Sequence, residues 1–194
     1  MRHRPALLIL LLCLPLAGCG YNRIQALDER AEEMKSNIGV QLTARNQLIP
    51  NLVATVQGAA DFERGTFTEV ARARAGLEQA RAQVDQAVDA GDVEEISAAD
   101  ASLTRQIGTY INVAVEAYPQ LRATQSFQAL QDQLAESENR IAVARQDYNQ
   151  TVREYNTYVR QFPQAMTARL IGAGRKEPYQ APVGAEETPQ VQFN

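Results

Sequence analysis

The chain has 194 residues, 45% hydrophobic and 6% aromatic, enough to bury one sizeable core and to indicate one domain. Its 19 basic and 23 acidic residues give a net charge of −4, a sign that argues against nucleic acid as a partner. His3, Cys13 and Cys19 are its whole complement of histidine and cysteine, so the body lacks the residues for a zinc site, a Ser-His-Asp or Cys-His system, a di-iron Glu-x-x-His motif or an internal disulfide.

Arg2 and Arg4 precede an apolar run from Ala6 to Ala17, about 12 residues against the ~20 that a membrane-spanning helix needs. This reads as a signal peptide over residues 1–18. It ends in Leu16-Ala17-Gly18-Cys19, which resembles the lipobox of bacterial lipoproteins: small residues admit the peptidase, and the Cys19 thiol takes the lipid. Several acyl chains of the palmitate class on Cys19 would hold the protein on a membrane, because one chain alone is marginal at ~0.8 kcal/mol per buried methylene. Gly20 rather than Asp follows the cysteine. That resembles lipoproteins sent to the outer membrane, so the expected location is its periplasmic face, with the inner membrane as the alternative. Processing there would leave 17 basic and 23 acidic residues, a net charge of −6.

From Tyr21 a helical apolar line begins with almost no linker: Ile24, Leu27, Ala31, Met34, Ile38, then Gln41 and Arg45 out of pattern, then Leu48 and Leu52. Pro50 falls inside this first helix, where it removes one backbone donor and disfavours helical geometry at Ile49. A kink is expected rather than a full break, because the spacing resumes at Leu52 and Val56. Gly58 and Gly65 bracket a turn, and Thr66 with Glu69 has the form of a capping box opening a second helix. That helix is marked by Phe67, Val70, Leu77, Val84 and Val88. Gly91 suits a left-handed C-cap, and Asp92 with Glu95 caps a third helix faced by Val93, Ile96, Leu103, Ile107, Tyr110, Ile111 and Ala114. It ends near Tyr118-Pro119.

Thr124 or Ser126 then opens the longest seam in the chain. Phe127, Leu130, Leu134, Ile141, Ala144, Tyr148, Thr151, Tyr155, Tyr158 and Phe162 recur at steps of three and four, with Ser137 as the polar exception. This fourth helix would span about 54 Å, and only other long helices can bury a seam of that length. Beyond Phe162-Pro163, the piece containing Met166, Arg169, Leu170 and Ile171 either continues the helix or rests on lipid. From Gly172 the Gly- and Pro-rich composition predicts a disordered tail over 172–194. The expected fold is all-α: a long antiparallel four-helix bundle with coiled-coil-like packing over residues 19–171.

Taken together, Leu48-Ile49-Pro50-Asn51-Leu52-Val53, Tyr118-Pro119 with Leu121, Phe127 with Leu130-Gln131, Glu138 with Ile141, Ala144-Arg145, Tyr148-Asn149, Tyr155-Asn156 and Phe162-Pro163 resemble the LemA family of bacterial envelope proteins. The resemblance covers Tyr21 to about Tyr179. It implies a long antiparallel bundle outside the cytoplasmic membrane, in a family without an established enzymatic activity. Three features depart from the family pattern. Relatives usually hold the membrane with a spanning helix where this chain has Cys19; they tend to carry Trp and Asp at Lys35 and Gly39; and their C-terminal Phe is replaced by Gln180.

The family-motif polar residues are Arg45, Asn51, Glu138, Arg145, Asn149 and Asn156. An unpaired Arg45 in a seam would be costly, so it should meet Glu138 or Asp100, or bend out at the bundle edge. Asn149 and Asn156 each follow a seam tyrosine and should bond across to the first helix, fixing register. Acid/base chemistry by Asp and Glu alone would need two carboxyls on one cleft, and the acidic residues mostly occupy exposed helix faces. The function expected is therefore a non-enzymatic, lipid-anchored scaffold or adaptor for other envelope proteins, without a metal or cofactor. The alternative is a binder of a small ligand, or of a peptidoglycan or lipid fragment, along the bundle. Near the membrane the two longer helices should outrun the shorter hairpin and expose Ile24, Leu27, Tyr158 and Phe162, with Leu170 and Ile171 beside them. That stripe is the candidate surface for a partner, a second copy of the chain or lipid.

Overall fold

A computed structural model describes residues 4–60 and 68–180, with side chains from residue 20 onward and excluding residue 60. All regular structure among these residues is helical, in agreement with the all-α bundle expected: α1 Arg4–Asn46, α2 Ile49–Ala60, α3 Thr68–Ala90, α4 Val93–Ala117, a 3-10 turn Pro119–Ala123, α5 Gln125–Tyr158 and α6 Gln164–Ile171. The lipobox side chains, the turn and cap residues Gly65, Thr66 and Phe67, and the tail 181–194 lie outside the described residues. The described part forms two compact units, one from residues up to 37 and 144–178, the other from residues 38–143 and Tyr179 onward.

The larger unit holds four helical runs. Its first is the end of α1 continued by α2. Pro50 lacks an N–H, so the carbonyl of Asn46 loses its helical donor; the Gln47 amide still bonds four residues back to Thr43 at 3.1 Å, but that of Leu48 bonds three back to Arg45 at 3.0 Å, and the helix is interrupted there. The interruption is brief, as expected, and Leu52 and Val56 resume the buried face. The stripe runs Ile38, Leu42, Ile49, Leu52 and Val56, all at or below 1% exposure, so a step of four to Leu42 replaces the step of three that would have buried Gln41.

α3 and α4 form an antiparallel hairpin. Gly91 takes φ 74, a left-handed conformation that costs side chains bearing a Cβ. Asp92 then accepts from the amides of Glu94 and Glu95 at 2.9 and 3.0 Å, making the N-cap that the sequence predicts. Leu77, Ala80 and Val84 of α3 and Ile96, Leu103, Tyr110 and Ala114 of α4 face inward, and burying each large apolar group contributes roughly 1.5–3 kcal/mol. After the 3-10 turn, Thr124 precedes α5, but its hydroxyl donates backward to the Leu121 carbonyl at 2.8 Å rather than capping the helix ahead. Phe127, Leu130, Leu134 and Ile141 of α5 complete this core.

The smaller unit is built from residues 20–37 of α1, the second half of α5, α6 and the extended segment that follows. Ala144, Tyr148, Thr151 and Tyr155 continue the predicted seam. The line then moves to Val159, and α5 ends at Tyr158 instead of running to Phe162. Tight turns close the helix, with Arg160 and Gln161 donating to the carbonyls three residues back at 3.2 Å, and Pro163 disfavours helical geometry in the residue before it. Phe162 is 83% exposed and Tyr158 only partly buried, so neither is a seam residue of the expected kind.

Two further expectations are corrected here. Ile24 and Leu27 are not an exposed stripe: with Tyr155, Val159 and Ala168 they form the core of this unit, because α6 turns back and covers them. Only the boundary of the expected tail shifts: residues 172–180 are ordered, and Gly172 closes α6. It takes φ 71 as the left-handed cap of α6, donating its amide to Ala168, whose carbonyl also accepts from Ala173 at 2.9 Å. The chain beyond, to Gln180, is held by specific bonds.

Candidate functional site

In the larger unit the polar motif converges on Arg45, which is 1% exposed. It falls on the buried line between Leu42 and Ile49, and Asn46 beside it is buried as well. Arg45 Nη2 donates to Asp100 Oδ1 at 2.5 Å, and Nη1 donates to Glu138 Oε2 at 2.6 Å and Thr104 Oγ1 at 3.1 Å. Both carboxylates named from sequence are thus its partners. Asp100 is as buried as the arginine, whereas the Glu138 side chain is 40% exposed. The second Asp100 oxygen accepts from the hydroxyl of Tyr179, itself 4% exposed, and Ser97 donates to the carbonyl of Gln180 at 3.0 Å. Next to Arg45, Asn46 donates to Asp85 Oδ1 at 2.7 Å and to the Arg81 carbonyl at 3.2 Å.

A buried guanidinium between two carboxylates is a closed charge network, in which the cost of desolvation is offset only because its hydrogen bonds are made. Both Asp100 oxygens are engaged, and Glu138 is held by the same cation. The pair therefore differs from two carboxyls facing a common substrate cleft.

In the smaller unit the polar centre is Lys176. Its Nζ lies 2.8 Å from Glu32 Oε1, 3.1 Å from Asp28 Oδ1 and 5.6 Å from the centroid of the Tyr155 ring. Burial pulls the ammonium pKa down, but the bonds to Glu32 and Asp28 outweigh it and hold the pKa above the usual lysine value. Hydrogen bonds from Lys176 and Lys35 hold the Glu32 carboxyl below its ordinary range. Asn156 grips the same residue by its backbone, donating to the Lys176 carbonyl at 2.8 Å and accepting from its amide at 2.9 Å. The Tyr148 hydroxyl donates to the Glu177 carbonyl at 2.9 Å. Burial raises the pKa of both Tyr148 and Tyr155.

The expected bond from Asn156 to the first helix is thus replaced by a two-bond clamp on the C-terminal segment. Asn149 and Arg145 are partly buried, and Asn51 is exposed, with its carbonyl accepting from Thr55 at 2.8 Å. Tyr179 and Lys176 were not predicted as structural residues. The signal was present: Tyr179 is an isolated aromatic in a Gly- and Pro-rich stretch, and Lys35 and Lys176 are the only lysines in the chain. Of the surface candidates, Leu170 is 87% and Ile171 36% exposed, beside Met166 at 67%. Arg23, Leu27, Arg153 and Tyr158 line a hollow of about 420 Å³. Among the described residues no helix is long and apolar enough to cross a membrane, and no acidic cluster is arranged to hold a metal ion.

Residues 34–193 match the model of the LemA family. Similar proteins include two from Paramagnetospirillum magneticum, magnetosome proteins MamQ 1 and MamQ 2, each 27% identical over 176 residues, covering 82% of this chain and 64% of theirs. Magnetosome protein MamQ of Magnetospirillum gryphiswaldense is 25% identical over 190 residues, covering 88% of this chain and 70% of the relative. The chain thus spans less than two thirds of the length of the first two.

Proposed function

This chain belongs to the LemA family, and from that premise we propose that it is a lipid-anchored protein of the cell envelope, held through Cys19 on the extracytoplasmic side of a membrane. It works there without catalysis, as a scaffold or adaptor for other envelope proteins. One observation carries the reading: three of the six polar motif residues, Arg45, Glu138 and Asn156, are spent on the chain itself. Arg45 and Glu138 bond to each other, Arg45 also bonds to Asp100, and Asn156 grips the backbone of Lys176. Residues that lock a fold in this way present a stable outer surface, which is what a scaffold requires.

A second reading, binding of a small ligand or of a peptidoglycan or lipid fragment, is favoured by the hollow at Tyr158, which Arg23, Arg153 and Glu154 line with polar groups of both charges. One experiment separates the two. Photo-reactive residues placed at Tyr158 and Gln161, both lining the hollow, are irradiated in intact cells and their adducts weighed. Recovery of one and the same envelope protein from both positions supports the scaffold. Adducts of glycan or lipid mass favour the binder, and an absence of adducts at both positions rejects both readings for this surface.

A further inference from the structure

The smaller unit carries an exposed apolar stripe that no packing within it uses. Met166 and Leu170 stand one turn apart on α6 and are 67% and 87% exposed, and Phe162, in the turn that precedes the helix, is 83% exposed. Ala168, on the opposite side of α6, is the residue that closes the core over Ile24 and Leu27. α6 therefore carries apolar residues on opposite sides, Ala168 buried and Met166 with Leu170 bare.

The position of α6 indicates what the bare face meets. α6 lies against Gly20 of α1: a Cβ there would stand 3.5 Å from Gln164 Cγ and 3.8 Å from Thr167 Oγ1. Gly20 directly follows Cys19, the residue proposed above to carry the lipid, so α6 lies at the anchored end of α1. The charge pattern agrees. From Tyr155 to Lys176 the chain has no Asp or Glu but carries Arg160, Arg169 and Arg175, all exposed, and Arg23 on α1 is exposed as well. These exposed arginines belong to a chain whose net charge is −4.

We propose that Phe162, Met166 and Leu170 enter the interface of an anionic lipid bilayer, with Arg160, Arg169 and Arg175 meeting the headgroups. Three apolar side chains are too few to hold a protein on a membrane by themselves. Beside the N-terminal attachment their effect is to orient: α6 fixes which side of this unit faces the lipid. The inference concerns how the chain lies on a membrane and does not depend on the scaffold role.

The chain contains no tryptophan, so an introduced one reports on its own surroundings. Phe162→Trp and Leu170→Trp, with Val143→Trp as a control at 58% exposure on α5, are made in the full chain. Each is reconstituted into vesicles of phosphatidylethanolamine and phosphatidylglycerol with brominated acyl chains, and flotation is scored separately. Blue-shifted emission at 162 and 170 that loses most of its intensity to bromine, with Val143→Trp unshifted and unquenched, supports the proposal. That loss should shrink when Arg160→Glu and Arg169→Glu are added, while flotation persists. Vesicles that float with both tryptophans unquenched overturn the proposal and leave membrane attachment standing. A blue shift without quenching that grows with protein concentration also overturns it, by assigning the face to a second copy. Failure to float overturns both the proposal and membrane attachment.

Discussion

Replacing Arg45 with methionine tests whether the buried network holds the larger unit together. Methionine fills most of the arginine's volume and keeps the helix, so the change is mainly one of charge and hydrogen bonding. It leaves the Asp100 carboxylate, whose side chain is 1% exposed, without the guanidinium that balances it. Breaking a buried pair from one side costs about 3–5 kcal/mol. In a chain of this length that lowers the melting temperature by roughly 6–20 °C. Glu138→Gln should cost only about 0–1 kcal/mol, because that side chain is 40% exposed and solvent screens its charge. Adding Asp100→Leu to Arg45→Met removes the stranded charge and should recover most of the loss, since apolar replacement of a whole buried pair is often neutral. Thermal and urea unfolding of the full chain, followed by circular dichroism, measures all four proteins. An Arg45→Met variant melting within about 2 °C of the parent, or a double variant no better than the single, would refute the reasoning.

Tyr155→Ala and Leu134→Ala should each cost about 2–5 kcal/mol in unfolding experiments, whereas Gln133→Ala, on the exposed side of α5, should cost little. The attachment of the C-terminal segment should depend on pH in two windows. Glu32 has a lowered pKa, so its contribution is complete above its ordinary 4.5 and lost as pH falls through the folded value; Lys176 has a raised pKa, so its contribution is complete below 10.5 and lost as pH rises through the folded value. Hydrogen exchange at the amides of Lys176 and Glu177 reads this directly, and Lys176→Ala should speed exchange between those limits. Burial pushes the Tyr110 hydroxyl up to about 12, so ultraviolet titration should show a late tyrosine that Tyr110→Phe removes. Mass spectrometry of the detergent-extracted protein should find Cys19 as the N-terminal residue and acylated; an unmodified N-terminus elsewhere would sink the anchor.

The helices themselves were legible in the sequence, because a helix is encoded locally. Apolar spacing marked Leu77, Val84, Leu103, Tyr110, Leu134 and Tyr148 as inward residues, and Gly91 with Asp92 marked the turn, since φ and capping chemistry are set within a few residues. The partners of Arg45 were also legible. A charge in an apolar seam has few tolerable outcomes, and carboxylates on neighbouring seams were the candidates. The fate of the chain beyond Phe162 was not legible. Composition over 172–180 reads as disorder because the segment has little apolar surface of its own. It is held by backbone carbonyls and amides bonded to Asn156, Tyr148 and Ser97, and by Lys176 and Tyr179 bonded to carboxylates far away in sequence. Such bonds leave no period in the segment they hold. For the same reason Ile24 and Leu27 read as an exposed stripe from helix lengths alone: their burial depends on α6 returning through a turn, and where a chain goes after a turn is decided by the surface it finds, a tertiary fact that local spacing does not carry.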